Sequence, residues 1–298
     1  MALLLLAVLA VLGLCLCVFL VARNFATTPL AAARLVLAWH DVPVTNSTEL
    51  LMRRYLERSR HFRSGWTWTA VFAALALGIG WNNPANPTSP LGSPVTTNLL
   101  VMALGGWFVG LVRTDTYNLR RHWRGPRTVS LEPRSLRNYL PRWLSVNLVA
   151  FAVLGVLAVP ACTWLPGYDE NLGEVIALAL LVVLVAAVGD ASTRAIARRP
   201  RPAVSEDLRR ADDALRSLAS LSVAYGAGGL EALLVSVQLS AIGAIPVDVI
   251  VNGHLASQSG ARQYVGLLAI PCFIWALTQA WRARRQVRPS ARPRGSAA

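Results

Sequence analysis

Long apolar runs decide what this chain can fold into. The first, Ala2 to Ala22, contains no charged residue. A helix over that run rises roughly 31 Å, enough to cross the hydrocarbon core of a bilayer. Six more runs follow at about 64–81, 95–112, 143–165, 172–189, 217–245 and 264–281. Aromatic residues flank several of them as interfacial anchors do: Trp66 and Trp81, Trp143 and Trp164, Tyr264 and Trp281. Of 298 residues 54% are hydrophobic and only 15% charged, too few charges to coat a soluble domain. The fold class predicted is all-α, a polytopic transmembrane helix bundle of about seven spans over residues 1–281. A cleaved signal peptide is the alternative for the first run. It is disfavoured because no basic residue precedes the run and the run outlasts an ordinary signal core.

The charges set the orientation. All 29 basic residues are Arg. Loops one, three and five and the C-terminal tail contain 28 of those 29, and the remaining loops contain only Arg262. Asp169, Glu170, Glu174 and Asp248 lie in or beside the Arg-poor loops, although the Arg-rich loops still hold ten acids. Cytoplasmic loops retain basic residues, so the alternation predicts an N-out, C-in topology, and seven spans satisfy every loop at once. A net charge of +14 and a pI near 11.1 resemble a nucleic-acid signal. Topology accounts for them instead: His122 and Trp123 are the only obvious stacking candidates, and no nucleic-acid partner is expected.

The Arg-poor stretch Asn82 to Asn98 carries Pro84, Pro87, Pro90 and Pro94 and reads as an extended cap. The Arg-rich loops read as short amphipathic helices. Asn46 and Glu49 have capping-box spacing and predict a helix through Leu50, Tyr55 and Phe62. Ser205, Glu206 and Asp207 mark a second start, for a helix running on into the sixth span. Residues 282–298 are rich in Arg and Pro without apolar periodicity, which predicts a disordered cytoplasmic tail. A short repeat also shows. Arg124-Gly125-Pro126-Arg127 precedes Ser130 and span four, and Arg198-Arg199-Pro200-Arg201 precedes Ser205 and span six. Spans three and four would then be a parallel copy of spans five and six, with chance as the competing explanation in an Arg- and Pro-rich chain.

Glu231 is the sharpest single residue, an acid near the middle of the sixth span with Gln238 on the same helix face. A charged carboxylate at that depth costs on the order of 3 kcal/mol or more, so it must face the bundle interior, protonate or pair. It is either a proton- or cation-linked site or a protonated acid bonded to a neighbouring helix. Gly229, Ala232, Ser236, Ser240 and Gly243 form a small-residue face on the same span, and Gly106 and Gly110 form a GxxxG in span three. Both read as helix packing within the chain. Pro271 marks a possible kink in span seven.

Among the Arg clusters, Arg124, Arg127, Arg198, Arg199 and Arg201 are candidates for anionic phospholipid head groups, against plain topological retention. Glu206, Asp207, Asp212 and Asp213 are weighed as a magnesium–diphosphate site. Arg209, Arg210 and Arg216 lie so close in sequence that solvated helix ion pairs explain them better. Cys15, Cys17, Cys162 and Cys272 make no CxxC, and His40, His61, His122 and His254 have no ligand spacing, so neither metal nor cofactor is expected. No catalytic constellation stands out. The sequon Asn46-Ser47-Thr48 falls on the predicted inner side and is discounted.

Three stretches, Tyr55 to Arg60, Arg199 to Ala203 and Asp207 to Arg216, resemble multi-pass membrane proteins of actinobacteria, a group with no assigned activity. The resemblance implies a bacterial plasma membrane and supplies no catalytic residues. Three functional readings remain at this point. The first is a non-enzymatic accessory or scaffold component with the bilayer, its anionic head groups and a membrane protein as partners. The second is a small secondary transporter coupled through Glu231, and the third a lipid-processing enzyme using Arg and Asp of the Arg-rich loops.

Overall fold

The computed structural model describes residues 28–76, 95–118, 127–128, 139–163, 172–199, 201–202, 205–244, 248–251, 254–257, 270–272, 274–276 and 278–279. The first predicted span, most of the Pro-rich cap and the tail lie outside them, as does much of the seventh span. The described chain is helical apart from two short antiparallel ladders. In order come α1 (Pro29–Trp39), α2 (Asn46–Ala76), α3 (Val95–Arg113), a π-turn (Thr114–Asn118), β1 (Arg127–Thr128), α4 (Arg142–Thr163), α5 (Leu172–Ala197), β2 (Arg201–Pro202), α6 (Glu206–Ala244), β3 (Asp248–Val251) and β4 (His254–Ser257). Residues 270–272, 274–276 and 278–279 are also helical.

Three of these helices, α4, α5 and α6, are long and apolar enough to cross a membrane. Their surroundings differ sharply. In its most apolar stretch α4 is 22% buried, α5 33% and α6 94%. Helix α6 packs against each of α1 to α5. It is therefore the axis of the bundle, and α4 and α5 turn Val146, Val149, Leu180 and Leu184 outward. An apolar face of that kind is soluble in lipid and needs no protein cover.

Helix α1 is absent from the sequence expectation. Pro29 supplies the fixed φ of its first turn, the Thr28 hydroxyl accepts from the Ala31 N–H at 3.3 Å, and Val36 and Leu37 bury its inner face. It ends where Asp41 takes a left-handed φ of 50° and the Val42 N–H donates back to the Leu37 carbonyl at 3.0 Å. The start of α2 is at Asn46, but its cap is shifted by one residue from the predicted box. Thr45 and Thr48 bond reciprocally, Thr45 N–H to Thr48 Oγ1 at 2.9 Å and Thr48 N–H to Thr45 Oγ1 at 3.3 Å. Glu49 is thereby freed to pair with Arg34 of α1 at 2.9 Å. From there α2 runs unbroken for 31 residues, joining the predicted loop helix to the predicted second span. Helix α6 likewise starts after Ser205, whose carbonyl accepts from the Arg209 N–H, and continues for 39 residues.

Helices α2 and α3 meet through the GxxxG. A Cβ on Gly106 would strike the Trp66 carbonyl oxygen and lie 2.6 Å from the Ala70 Cβ; one on Gly110 would lie 2.7 Å from the Phe62 carbonyl oxygen. The motif is an intramolecular seam, which two Arg–Trp stacks brace from opposite sides. Arg63 of α2 lies 5.9 Å from the Trp107 ring of α3, and Arg113 of α3 lies 5.6 Å from the Trp66 ring of α2.

The two repeat motifs find each other. Strand β1 ends one and β2 ends the other, paired Arg127 to Pro202 and Thr128 to Arg201. Exchanging the copies maps this ladder onto itself. The chain separation that carries Arg127 to Arg201 also carries Tyr139 to Asp213, and those two residues touch, Tyr139 O–H to Asp213 Oδ1 at 3.3 Å. The second ladder, β3 with β4, pairs Val251 with His254 and Asp248 with Ser257, a hairpin where the sequence reading had none.

Candidate functional site

Apart from Glu231, the charged residues with the least exposure gather at the end of the bundle where α2, the π-turn, the end of α5 and the first turns of α6 come together. The π-turn extends α3 by five residues, with its Thr114 hydroxyl donating to the Gly110 carbonyl at 2.7 Å. It delivers Asp115 inward, where Tyr55 of α2 donates to Asp115 Oδ1 at 2.6 Å. Arg63 stands 3.9 Å from the other Asp115 oxygen, close enough for attraction though too far for a hydrogen bond.

Beside this pair lies a second knot. Asp212 holds Arg216 through Nε at 2.8 Å and Nη2 at 2.6 Å, and it holds Arg199 through Nη2 at 2.8 Å. The remaining Arg216 nitrogen, Nη1, donates to the Arg199 carbonyl at 2.6 Å. Arg216 and Asp212 are 0% and 1% exposed. Two of these bonds, Arg199 Nη2 to Asp212 and Arg216 Nη1 to the Arg199 carbonyl, tie α6 to the chain just past α5 and fix the junction between the two helices. Burial lowers the Arg199 pKa, with Asp212 acting against that shift. Burial likewise pushes the Tyr55 hydroxyl well up.

Asp115 is titratable in a useful range. Burial lifts its carboxyl to about 6, against the opposing pull of Arg63, the Tyr55 hydrogen bond and Arg199. The folded chain therefore holds this proton more tightly than the unfolded chain does. The resulting stabilisation is complete below about pH 4 and is lost as pH rises through about 6. Asp115→Asn removes the titration. Between pH 4 and pH 7 the wild type should lose on the order of 3 kcal/mol relative to Asp115→Asn, measured as unfolding midpoints in detergent across that range. Parallel pH profiles for the two proteins would contradict the assignment.

The structure separates the residues expected from sequence. Glu231 is 0% exposed, and neither carboxylate oxygen has a hydrogen-bond partner among the described residues. Gln238 does not share a site with it. Its amide nitrogen donates to the Gly155 carbonyl of α4 at 3.1 Å and the Val175 carbonyl of α5 at 3.2 Å, tying three helices together. Arg199 is only 9% exposed and its Nη2 is committed to Asp212 at 2.8 Å, unlike the open cation the sequence suggests. Arg198 is exposed and keeps the head-group option. Arg127 and Arg201 are placed by the β1–β2 ladder, and Arg124 lies outside the described residues.

The acids divide the same way. Glu206 pairs on the surface with Arg209 at 3.0 Å and Arg210 at 3.5 Å, the solvated arrangement the spacing predicts. Asp212 has the expected i,i+4 partner in Arg216, but the pair is buried rather than solvated. Its burial follows from α6 being surrounded, which no local spacing encodes. Tyr55 and Asp115 were not singled out from sequence. They are 60 residues apart, and their meeting depends on the Gly106–Gly110 seam. Among the described residues no group of His, Cys, Asp and Glu could hold a metal ion, and Cys162 and Cys272 are free thiols.

These features define a helical membrane-type bundle closed at one end by buried ion pairs. No family model, characterised protein or solved structure matches the chain.

Proposed function

We propose that the chain is a multi-pass component of a bacterial plasma membrane, with seven spans and its Arg-rich loops and tail in the cytoplasm, acting as a non-enzymatic accessory or scaffold subunit. The observation that supports this is the Arg199–Asp212–Arg216 knot. Charges that a catalytic pocket would turn towards substrate are bonded to one another, where they fix the junction of α5 with α6. The convergence of Arg and Asp anticipated for a lipid-processing enzyme is present, but the acids face arginines of the same chain. A Cys in the tail, Ser290→Cys, tests the orientation: a membrane-impermeant maleimide should label it only after the cells are opened. Purification from native membranes in mild detergent tests the role. The expected product is a stoichiometric complex with another membrane protein, and a monomer that carries out solute flux by itself would overturn it.

That outcome would move the conclusion to a proton- or cation-coupled transporter. The observation favouring this second reading is the unpartnered Glu231 carboxylate inside the central helix. Glu231→Gln keeps the volume and removes the ionisable proton. The accessory reading expects unchanged expression and complex formation. Loss of proton-linked uptake at unchanged expression would instead assign the activity to Glu231.

A further inference from the structure

One face of α2 changes character along its length. Before residue 61 it is crowded with arginines, and beyond residue 67 it exposes Trp68, Phe72 and Leu75, which are 48%, 62% and 44% exposed. Between the two zones lies a groove of about 370 Å³ lined by His61, Phe62, Gly65, Trp66 and Thr69. Gly65 forms its floor, and a Cβ there would meet nothing within 4 Å. The exposed guanidinium of Arg113 stacks over the Trp66 ring at 5.6 Å. Arg113 makes no ion pair among the described residues, and no acid lines the groove.

The geometry points to a binding site for one anionic phospholipid, its phosphate on Arg113 beside the Trp66 wall of the groove and an acyl chain laid over Gly65 towards Thr69 and Phe72. The inference rests on the membrane reading above. The sequence of chemistry along α2 matches the sequence of chemistry along a lipid: a cationic and hydrogen-bonding end, an aromatic belt at interfacial depth, then exposed apolar surface. The open cation supplies the charge complementarity, and it is supplied by a residue outside the clusters that the sequence singles out.

The test uses the full chain in nanodiscs of phosphatidylcholine with a minor fraction of phosphatidylglycerol, read by native mass spectrometry of the ejected protein. Wild type should retain one phosphatidylglycerol in preference to phosphatidylcholine. Arg113→Gln should reduce that preference about fivefold. Gly65→Leu adds volume at the groove floor, where a Cβ meets nothing within 4 Å, and should reduce retention of either lipid, while thermal unfolding stays unchanged or rises slightly through helix propensity. Arg142→Gln removes an exposed charge elsewhere and should leave the preference intact. An equal loss with Arg142→Gln would show diffuse attraction and overturn the site, as would an unchanged preference with Arg113→Gln. A photo-crosslinker at Thr69 should label lipid; labelling of residues 1–27 would show that the chain itself fills the groove. Failure to enter nanodiscs at all would count against the membrane reading, whereas entry without lipid preference counts against this site alone.

Discussion

Asp212→Ala should be the most damaging single substitution at the Arg-rich end, costing about 3–5 kcal/mol and abolishing recovery of folded protein from detergent extracts. Asp212 accepts from Nε and Nη2 of Arg216 and from Nη2 of Arg199. Truncation leaves one guanidinium fully buried and another nearly so, without the carboxylate that justifies their desolvation. The cost comes from the stranded cations rather than from the lost attraction itself. A triple replacement, Arg199→Met with Asp212→Leu and Arg216→Met, should therefore be milder than Asp212→Ala alone. Thermal unfolding followed by Trp fluorescence or by size-exclusion after heating would read the difference. A triple variant less stable than Asp212→Ala would show that the knot contributes more than the removal of its own desolvation cost.

The second large effect is expected at the α2–α3 seam. Gly106→Ala should cost about 1–3 kcal/mol, because its methyl would strike the Trp66 carbonyl and crowd Ala70, and the backbone cannot yield as a flexible side chain would. Gly105→Ala, one residue away, meets nothing within 4 Å. There alanine should be neutral or stabilise by up to about 1 kcal/mol through helix propensity. The opposed signs at adjacent glycines separate close packing from propensity. The seam also holds Tyr55 within reach of Asp115. Gly106→Ala should consequently weaken the pH dependence assigned to Asp115, and a retained profile would show that the site tolerates separation of α2 from α3.

Several features were legible along the chain. Helices lie where apolar runs and capping residues put them: α3, α4 and α5 begin within a residue of the predicted spans, and the GxxxG reads correctly as an internal contact. The antiparallel hairpin of β3 and β4 was also within reach. Its strands flank Asn252-Gly253, the dipeptide favoured in two-residue hairpin links, inside an alternating apolar pattern. Helix α1 was missed because its 11 residues are too few for a span and were absorbed into a basic loop.

The sequence by itself determined where most of the helices begin, that three of them are apolar enough for lipid, and how the arginines divide among the loops, because each is a sum over neighbours along one chain. Only the tertiary structure decided which helix lies at the centre. Of the three spanning-length helices α6 has the lowest mean hydropathy, 1.5 against 2.2 and 2.6, and yet it is the buried one. In lipid the apolar faces need no cover, so the helix carrying Asp212, Arg216, Glu231 and Gln238 is the one the others must surround. The same enclosure turned Arg199 from a surface cation into a buried partner of Asp212. Burial depends on what other segments place around a residue, and no spacing within α6 contains that information.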